Sequence, residues 1–390
     1  MHSRFPTIEQ LRHHGRHHAP RFAFEYADGG AGADRGIARN REALDAVELI
    51  PRYGALTALP STGIELFGRS YSAPIGVSPM GSPGIVLPGA DLILAKAAQK
   101  ARIPYTLGFV GGATIEQIAT VAPDVFWFQL YRCAGQDHSL AFDLIRRADA
   151  AGAHALVLTL DVPVRTPRPR EMLVGLGGSR FRPTLRMLWE IITHPYWAQA
   201  MLKNGQPRFA SLKPYAGENA SLNDVIGFAQ RELGGVFSWQ EVARYRDHWK
   251  KALVVKGILH PADAEKALSI GVDGIVVSNH GGRQIDALPA AIDCLPAVAK
   301  VVGGRATVLM DSGIRSGSDV VRALALGASA AFAGKAFLWG LCALGAEGPD
   351  HVINLLTEEV RSTFAQLGVS GPDEARTVNV RHPGAIAMGS

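Results

Sequence analysis

Residues Ser278-Asn279-His280-Gly281-Gly282-Arg283-Gln284-Ile285-Asp286 set an imidazole and a guanidinium three positions apart on a glycine-rich turn. An imidazole can take a proton near neutral pH, and a guanidinium can grip a carboxylate through two parallel N–H donors. Together they could face one small acid, one group moving a proton and the other anchoring the molecule. The stretch follows Gly274-Ile275-Val276-Val277, an apolar run that reads as a buried strand whose end points at a site. A bare His-Gly pair would be an ordinary loop; the nine-residue arrangement carries the signal.

Other chemistry-bearing residues are read more plainly. The segment RHHGRHH at 12–18 could be a metal site or a nucleic-acid arm, but its spacing suits a basic helix face exposed to solvent, and no metal is expected. Cys133, Cys294 and Cys342 are far apart without metal-ligand spacing, which reads as reduced core thiols. A net charge of +5 suits an anionic cofactor and substrate, or a negatively charged membrane surface, and does not imply nucleic acid. The N-terminal stretch has no signal-peptide core and no apolar run is long enough to span a bilayer, so the expected location is cytoplasmic.

The elements that must position these groups follow from periodicity. With 47% hydrophobic and 19% charged residues the chain should be globular throughout. Eight short apolar runs read as strands: Pro74 to Val77, Tyr105 to Leu107, Val125 to Leu130, Ala155 to Leu160, Leu253 to Val255, Gly274 to Val277, Ala306 to Met310 and Ser329 to Ala333. Amphipathic stretches such as ADLILAKAAQKA and RSGSDVVRALALG lie between them, each ending near a capping Gly. This alternation predicts an α/β fold, a (β/α)₈ TIM barrel with an N-terminal helical segment, and places the site at the C-terminal strand ends. The barrel is expected over about 70–345 of one domain spanning 1–390. A long insertion after the fourth strand, about 165–250, exceeds ordinary loop lengths and is expected to be functional. Within it, Leu185, Leu188, Trp189 and Ile192 recur at helical spacing, with Trp197 and Met201 beyond a Pro. That pattern suits either an interfacial membrane helix or a helix packed on the barrel or a neighbouring subunit.

The nine-residue stretch resembles the active-site signature of the FMN-dependent 2-hydroxy-acid oxidases and dehydrogenases, a family that includes glycolate oxidase, lactate oxidase, membrane L-lactate dehydrogenase and mandelate dehydrogenase. The resemblance runs from about Phe5 to Leu367 and is closest to the mandelate and L-lactate dehydrogenases. It implies non-covalent FMN. FEYADGG resembles the family's YDYxxGG and implies that the Tyr26 phenol bonds the substrate. Ser78-Pro79-Met80-Gly81 resembles the segment whose backbone lies along the flavin, and Gly81, where oxidases tend to carry Ala, implies a dehydrogenase. Gly108 stands where relatives usually have a Ser near the flavin. Gln129-Leu130-Tyr131 resembles the family's QLY, which implies that Gln129 bonds the polar edge of the ring and Tyr131 the substrate oxygen.

The resemblance likewise makes Thr159 a flavin contact and Asp161 the carboxylate that pairs with His280. RTPRPRE resembles the family's Arg-bearing loop, with Arg168 best matched to the substrate-carboxylate Arg beside Arg283. Lys256 and Ser278 are implied at the flavin ring, Lys256 stabilising its anionic reduced form. Asp311-Ser312-Gly313-Ile314-Arg315 resembles the family's DGGxR, and Gly334-Lys335 its GR, both phosphate elements; Lys335 departs from the usual Arg. The function implied is oxidation of an L-2-hydroxy acid to the 2-oxo acid with His280 as base, electrons passing to a quinone, another carrier or O₂. Its rivals are another FMN barrel of isomerase type and a non-catalytic flavin-binding homologue. The resemblance also implies a homotetramer and peripheral contact of about 180–205 with the cytoplasmic membrane. Arg165, near the expected site mouth, would favour a substrate with a second anionic or hydrogen-bonding group if it pointed inward, though an outward-pointing surface Arg is the more common outcome.

Overall fold

The eight apolar runs can be buried on both faces only if they pair side by side under a cover of helices, and they do. The structure, a computed structural model, describes every residue except 1–3, 55, 57, 165, 177–182, 208, 218 and 388–390. Strands β1 (Ile75–Val77), β2 (Tyr105–Leu107), β3 (Phe126–Leu130), β4 (Ala155–Thr159), β5 (Ala252–Ile258), β6 (Gly274–Val277), β7 (Thr307–Met310) and β8 (Ala330–Ala333) form a closed parallel barrel in chain order. The expected (β/α)₈ barrel is therefore the observed one. Only β5 runs noticeably longer than its apolar core, because Lys256 and Gly257 continue the ladder up to an irregular register with β6.

Large side chains fill the barrel. Trp127 packs 5.4 Å from Phe332, whose ring lies so close to Gly76 that a Cβ there would meet it at 2.6 Å. A hairpin of Ile64–Leu66 with Arg69–Tyr71 closes the N-terminal end: its turn residue Phe67 reaches Trp127 at 5.5 Å, and the Trp127 indole donates to the Tyr71 hydroxyl at 3.1 Å. With that end sealed, the C-terminal end is left for chemistry.

Three N-terminal helices reach this end. Helix Ile8–His18 packs on Lys335–Leu344, with Gly15 so close that a Cβ would lie 2.7 Å from that of Cys342. RHHGRHH thus lies on a helix whose His13, Arg16 and His17 are exposed, while the His18 ring stacks on Tyr196. Helix Arg21–Asp28 brings Tyr26 over the barrel, and Arg35–Asp45 packs beside the 278–286 turn.

The connection between β4 and β5 holds helices Pro169–Leu173, Leu185–Thr193, Pro195–Asn204, Lys213–Ala216, Leu222–Glu232 and Trp239–His248. Helix Leu185–Thr193 starts at a Thr184 cap and ends before Pro195, which opens the next helix. Met187 and Trp197 face inward, the latter donating to the Ile85 carbonyl at 3.3 Å. Leu185, Leu188, Trp189 and Ile192 stay exposed, with Ile192 at 71% and Leu185 at 86%. The apolar stripe is thus not covered by the chain's own barrel. Among the described residues, no helix is long and apolar enough to cross a membrane.

Candidate active site

The turn after β6 is built by left-handed backbone. His280, Gly281 and Gly282 have φ of +59°, +65° and +72°. A side chain at Gly282 would also meet the Ile37 amide nitrogen at 2.7 Å, so the turn can pack against the N-terminal segment only with glycine there. The pairing is tight: Ala31 N–H donates to the Gly282 carbonyl at 2.9 Å, and the Asp286 carboxylate accepts from Ala33 and Gly36 amides. Buried Asn40 and Asn279 exchange two side-chain bonds of 2.9 and 2.7 Å. These contacts lock His280 into a conformation that a non-glycine residue seldom adopts.

The imidazole so presented meets Asp161, two residues beyond β4, with Nδ1 and Oδ1 3.0 Å apart. Burial pushes the Asp161 carboxyl up, but His280 and then Lys256 outweigh it and hold the group below its ordinary value, so it stays ionised. Gln284 donates to the Asp161 carbonyl at 2.8 Å and fixes its backbone. With Nδ1 engaged, Nε2 is the ring nitrogen left for the cavity that His280 lines.

Arg283 and Arg168 come together on the same side. Arg283 donates to the carbonyls of Tyr26 and Gly29 and, at 2.6 Å, to Glu171, while its guanidinium lies 5.2 Å from the Tyr26 ring centre. Arg168 donates to the Arg283 carbonyl at 3.3 Å and lies 3.5 Å from the same Glu171 oxygen. Arg170, its neighbour in sequence, is tied to Glu25, Asp28 and Asp34. Of the two, Arg168 is therefore the one beside Arg283. Arg165 lies outside the described residues. Tyr26 accepts from the Ser82 amide at 3.1 Å, and burial pushes its phenol up. Tyr131 stands edge-on to Phe109, and burial, then the Asp161 charge, raises its phenol well above the ordinary value. Both phenols therefore remain protonated donors at neutral pH.

Below these groups the polar residues form a chain. Lys256 donates to Ser278 at 2.6 Å and pairs with Asp311 at 2.9 Å, and Asp311 also accepts from Ser78 and Ser312. The Asp311 carboxylate thus serves Lys256 directly. On the neighbouring strands, Gln129 donates to Thr159 at 2.9 Å and accepts from the Phe109 amide. The Ser that relatives usually carry at position 108 would have no room here: a Cβ on Gly108 would lie 2.3 Å from the Met80 carbonyl oxygen.

One cavity, about 860 Å³ counting the open space at its mouth, is lined by His280 and Arg283 but not by Gly108, Gln129, Tyr131, Thr159, Asp161, Arg168 or Ser278, which stand behind or beside its wall. Tyr26, Pro79, Met80, Gly81, Lys256, His280 and Arg283 line one part, and Asp311, Ser312, Gly313, Ile314, Arg315, Gly334 and Lys335 another. Leu338 and Trp339, which sequence reasoning missed, complete the wall, and the Arg315 guanidinium lies 4.9 Å from the Trp339 ring centre. Burial lowers both Arg315 and Lys335, Lys335 strongly and with the Arg283 charge adding to it, so positive charge here is costly without a nearby anion. Lys335 is satisfied by three carbonyls, Ala27, Asp28 and Gly29, at the end of helix Arg21–Asp28. With its three donors so spent, the Lys335 side chain offers none to a phosphate, which Arg315 and the glycine strand ends fit instead, and Gln129, Lys256 and the 79–81 backbone suit a polar-edged planar ring. The residues present fit FMN.

The FMN-dependent dehydrogenase family model matches residues 15–382. The chain belongs to that family. Among curated relatives, L-lactate dehydrogenase of Caulobacter sp. (strain K31) is 38% identical over 94% of this chain and 96% of its own length. L-lactate dehydrogenase of Alcaligenes faecalis is also 38% identical, over 90% of this chain and 92% of its own. Among solved structures, the monotopic membrane protein (S)-mandelate dehydrogenase superposes with a TM-score of 0.89 at 31% identity, covering 96% of this chain and 99% of that one. Mandelate oxidase gives 0.83 at 33%, covering 97% and 99%. This family member is an FMN-dependent oxidoreductase.

Proposed function

We propose that this flavoenzyme oxidises an L-2-hydroxy monocarboxylic acid of the lactate or mandelate type to the 2-oxo acid. The observation that carries the reading is the His280–Asp161 pair, 3.0 Å apart, on the same cavity as Arg283 with Arg168 beside it. Arg168 and Arg283 bind the substrate carboxylate through the donors their protein contacts leave free. Tyr131 and Tyr26 donate to its oxygens, fixing which hydrogen faces the cavity floor. His280 Nε2 takes a proton from the substrate, and the ionised Asp161 on Nδ1 holds the ring in the required tautomer and stabilises it once charged. FMN, when bound, supplies the two-electron acceptor. Lys256 and Gln129 hold its ring, and Arg315 with the 311–315 and 334–335 strand ends its phosphate. An isomerase-type FMN barrel would have no need of the paired arginines.

The acceptor in the second half of the cycle is proposed to be a quinone-side carrier and not O₂. Gly81 supports this, as does the uncovered stripe Leu185, Leu188, Trp189 and Ile192, which would rest on the cytoplasmic membrane within about 180–205. The monotopic membrane neighbour points the same way. The chain is taken to act as one unit over 1–390 and as a homotetramer, which light scattering reads. Anaerobic addition of a panel of 2-hydroxy acids to the yellow protein tests the central reading: L-lactate or (S)-mandelate should bleach the flavin band. A flavin indifferent to every 2-hydroxy acid would refute it.

A further inference from the structure

Among the described residues, Glu171 is the acidic side chain that Arg168 and Arg283 share. It is 7% exposed, and the same carboxylate oxygen lies 2.6 Å from Arg283 and 3.5 Å from Arg168. Its helix, Pro169–Leu173, begins immediately after Arg168, so backbone geometry fixes it against the pair. Neither the proton transfer nor the cofactor cradle uses it. A buried carboxylate there has an electrostatic consequence. Arg168 and Arg283 carry two positive charges and Glu171 one negative, which leaves a single positive charge among the three to be matched by whatever binds.

We propose that Glu171 is a specificity-determining residue that limits the site to 2-hydroxy acids with one carboxylate, rejecting those whose side chain bears a second. The inference rests on the reading that Arg168 and Arg283 receive the substrate carboxylate. A monoanion completes the charge balance of the three groups. A dianion brings a second negative charge that these three groups do not balance, close to the Glu171 carboxylate, where repulsion is strong. Glu171 also holds the Arg283 fork in place, but an orienting contact alone would not sort ligands by charge.

The test compares matched pairs in the FMN-loaded enzyme. Lactate and tartronate differ by a methyl against a carboxylate; so do propionate and malonate, which the enzyme cannot oxidise and which are titrated by the change in flavin absorption. Wild type should favour the monoanion of each pair. Glu171→Gln, which keeps size and an acceptor oxygen, should shift the malonate-to-propionate affinity ratio toward the dianion by about tenfold, the scale of one poorly screened charge at close range. The kcat/KM ratio for tartronate against lactate should move the same way. Glu171→Asp, which keeps the charge but shortens the arm, should preserve the wild-type ratios even if both affinities fall. Unchanged ratios in Glu171→Gln, or equal shifts in Gln and Asp, would overturn the proposal. If Glu171→Gln does not load flavin, a wild type that binds malonate as well as propionate overturns it, and one that rejects malonate while Asp keeps the ratio upholds it. A wild type that oxidises no 2-hydroxy acid and binds neither propionate nor malonate would instead refute the underlying functional reading.

Discussion

Arg283 shows how one side chain can be used twice. One terminal nitrogen is spent on the Tyr26 and Gly29 carbonyls and the other reaches Glu171, so the guanidinium is locked before any ligand arrives. Preorganisation of this kind is what a Lys cannot reproduce, since a single ammonium cannot span those directions. Arg283→Lys should therefore raise KM for the hydroxy acid by about 100-fold, the scale of two lost charge-assisted hydrogen bonds. Steady-state kinetics on flavin-replete protein would show it; an unchanged KM would move the carboxylate anchor elsewhere. Asp161→Asn should keep the flavin and lose most of the reduction rate, because an amide on Nδ1 no longer stabilises the imidazolium. Retained reduction there would separate His280 from Asp161.

The site residues that could be read in the sequence sit in contiguous motifs at strand ends, such as 278–286 and 129–131. What escaped depended on distant segments meeting. Glu171 lies within a motif that was singled out, yet its role appears only when Arg283, 112 positions away, folds back onto it. The Asn40–Asn279 exchange spans 239 positions. Lys335 matched a phosphate motif, but its three carbonyl contacts come from a helix more than 300 positions earlier.

Elements bring their own electrostatics. Helix Ala90–Ala101 packs Asp91 against β2, where it accepts from the Tyr105 hydroxyl at 3.2 Å and the Gly112 amide at 2.8 Å. Burial pushes this carboxyl up to about 6 despite those bonds. The folded state thus keeps a proton that the unfolded chain releases. The resulting stability is fully present below the unfolded value of about 3.9 and is lost as pH rises through about 6. Asp91→Asn can keep both contacts without the charge, so its melting temperature relative to wild type should rise between pH 4.5 and 7 and then level off. Up to about 3 kcal/mol is available from such a shift. A difference that does not vary with pH would contradict the burial argument.

The strands were legible at this scale because a barrel buried on both faces demands uninterrupted apolar runs. The crossover Gly135–Ala150 was less so. Its pattern reads as helix only from Asp137, and Gln136, Asp137 and His138 adopt left-handed backbone at its start. Nothing in the periodicity announces that.

For the whole molecule, one end of the barrel is plugged by the Phe67 hairpin and the other carries cavity, arginines and the long connection with its exposed stripe. Uncovered Leu185, Trp189 and Ile192 on one helix face would be costly in water and useful at a bilayer surface. Replacing Leu188, Trp189 and Ile192 with Gln should abolish co-sedimentation with anionic vesicles while leaving anaerobic flavin reduction unchanged. Equal vesicle binding by both proteins, or none by the wild type, would remove the membrane role.

The central claim is that His280, held by Asp161, is the base for hydroxy-acid oxidation. Anaerobic stopped-flow of FMN-loaded wild type and His280→Gln with L-lactate or (S)-mandelate tests it most directly, with absorbance reporting both flavin content and its reduction. The account predicts equal flavin content and a reduction rate lower by at least about 10²- to 10⁴-fold in the variant, the range general-base catalysis supplies. A variant that holds FMN and reduces it at near the wild-type rate would contradict it.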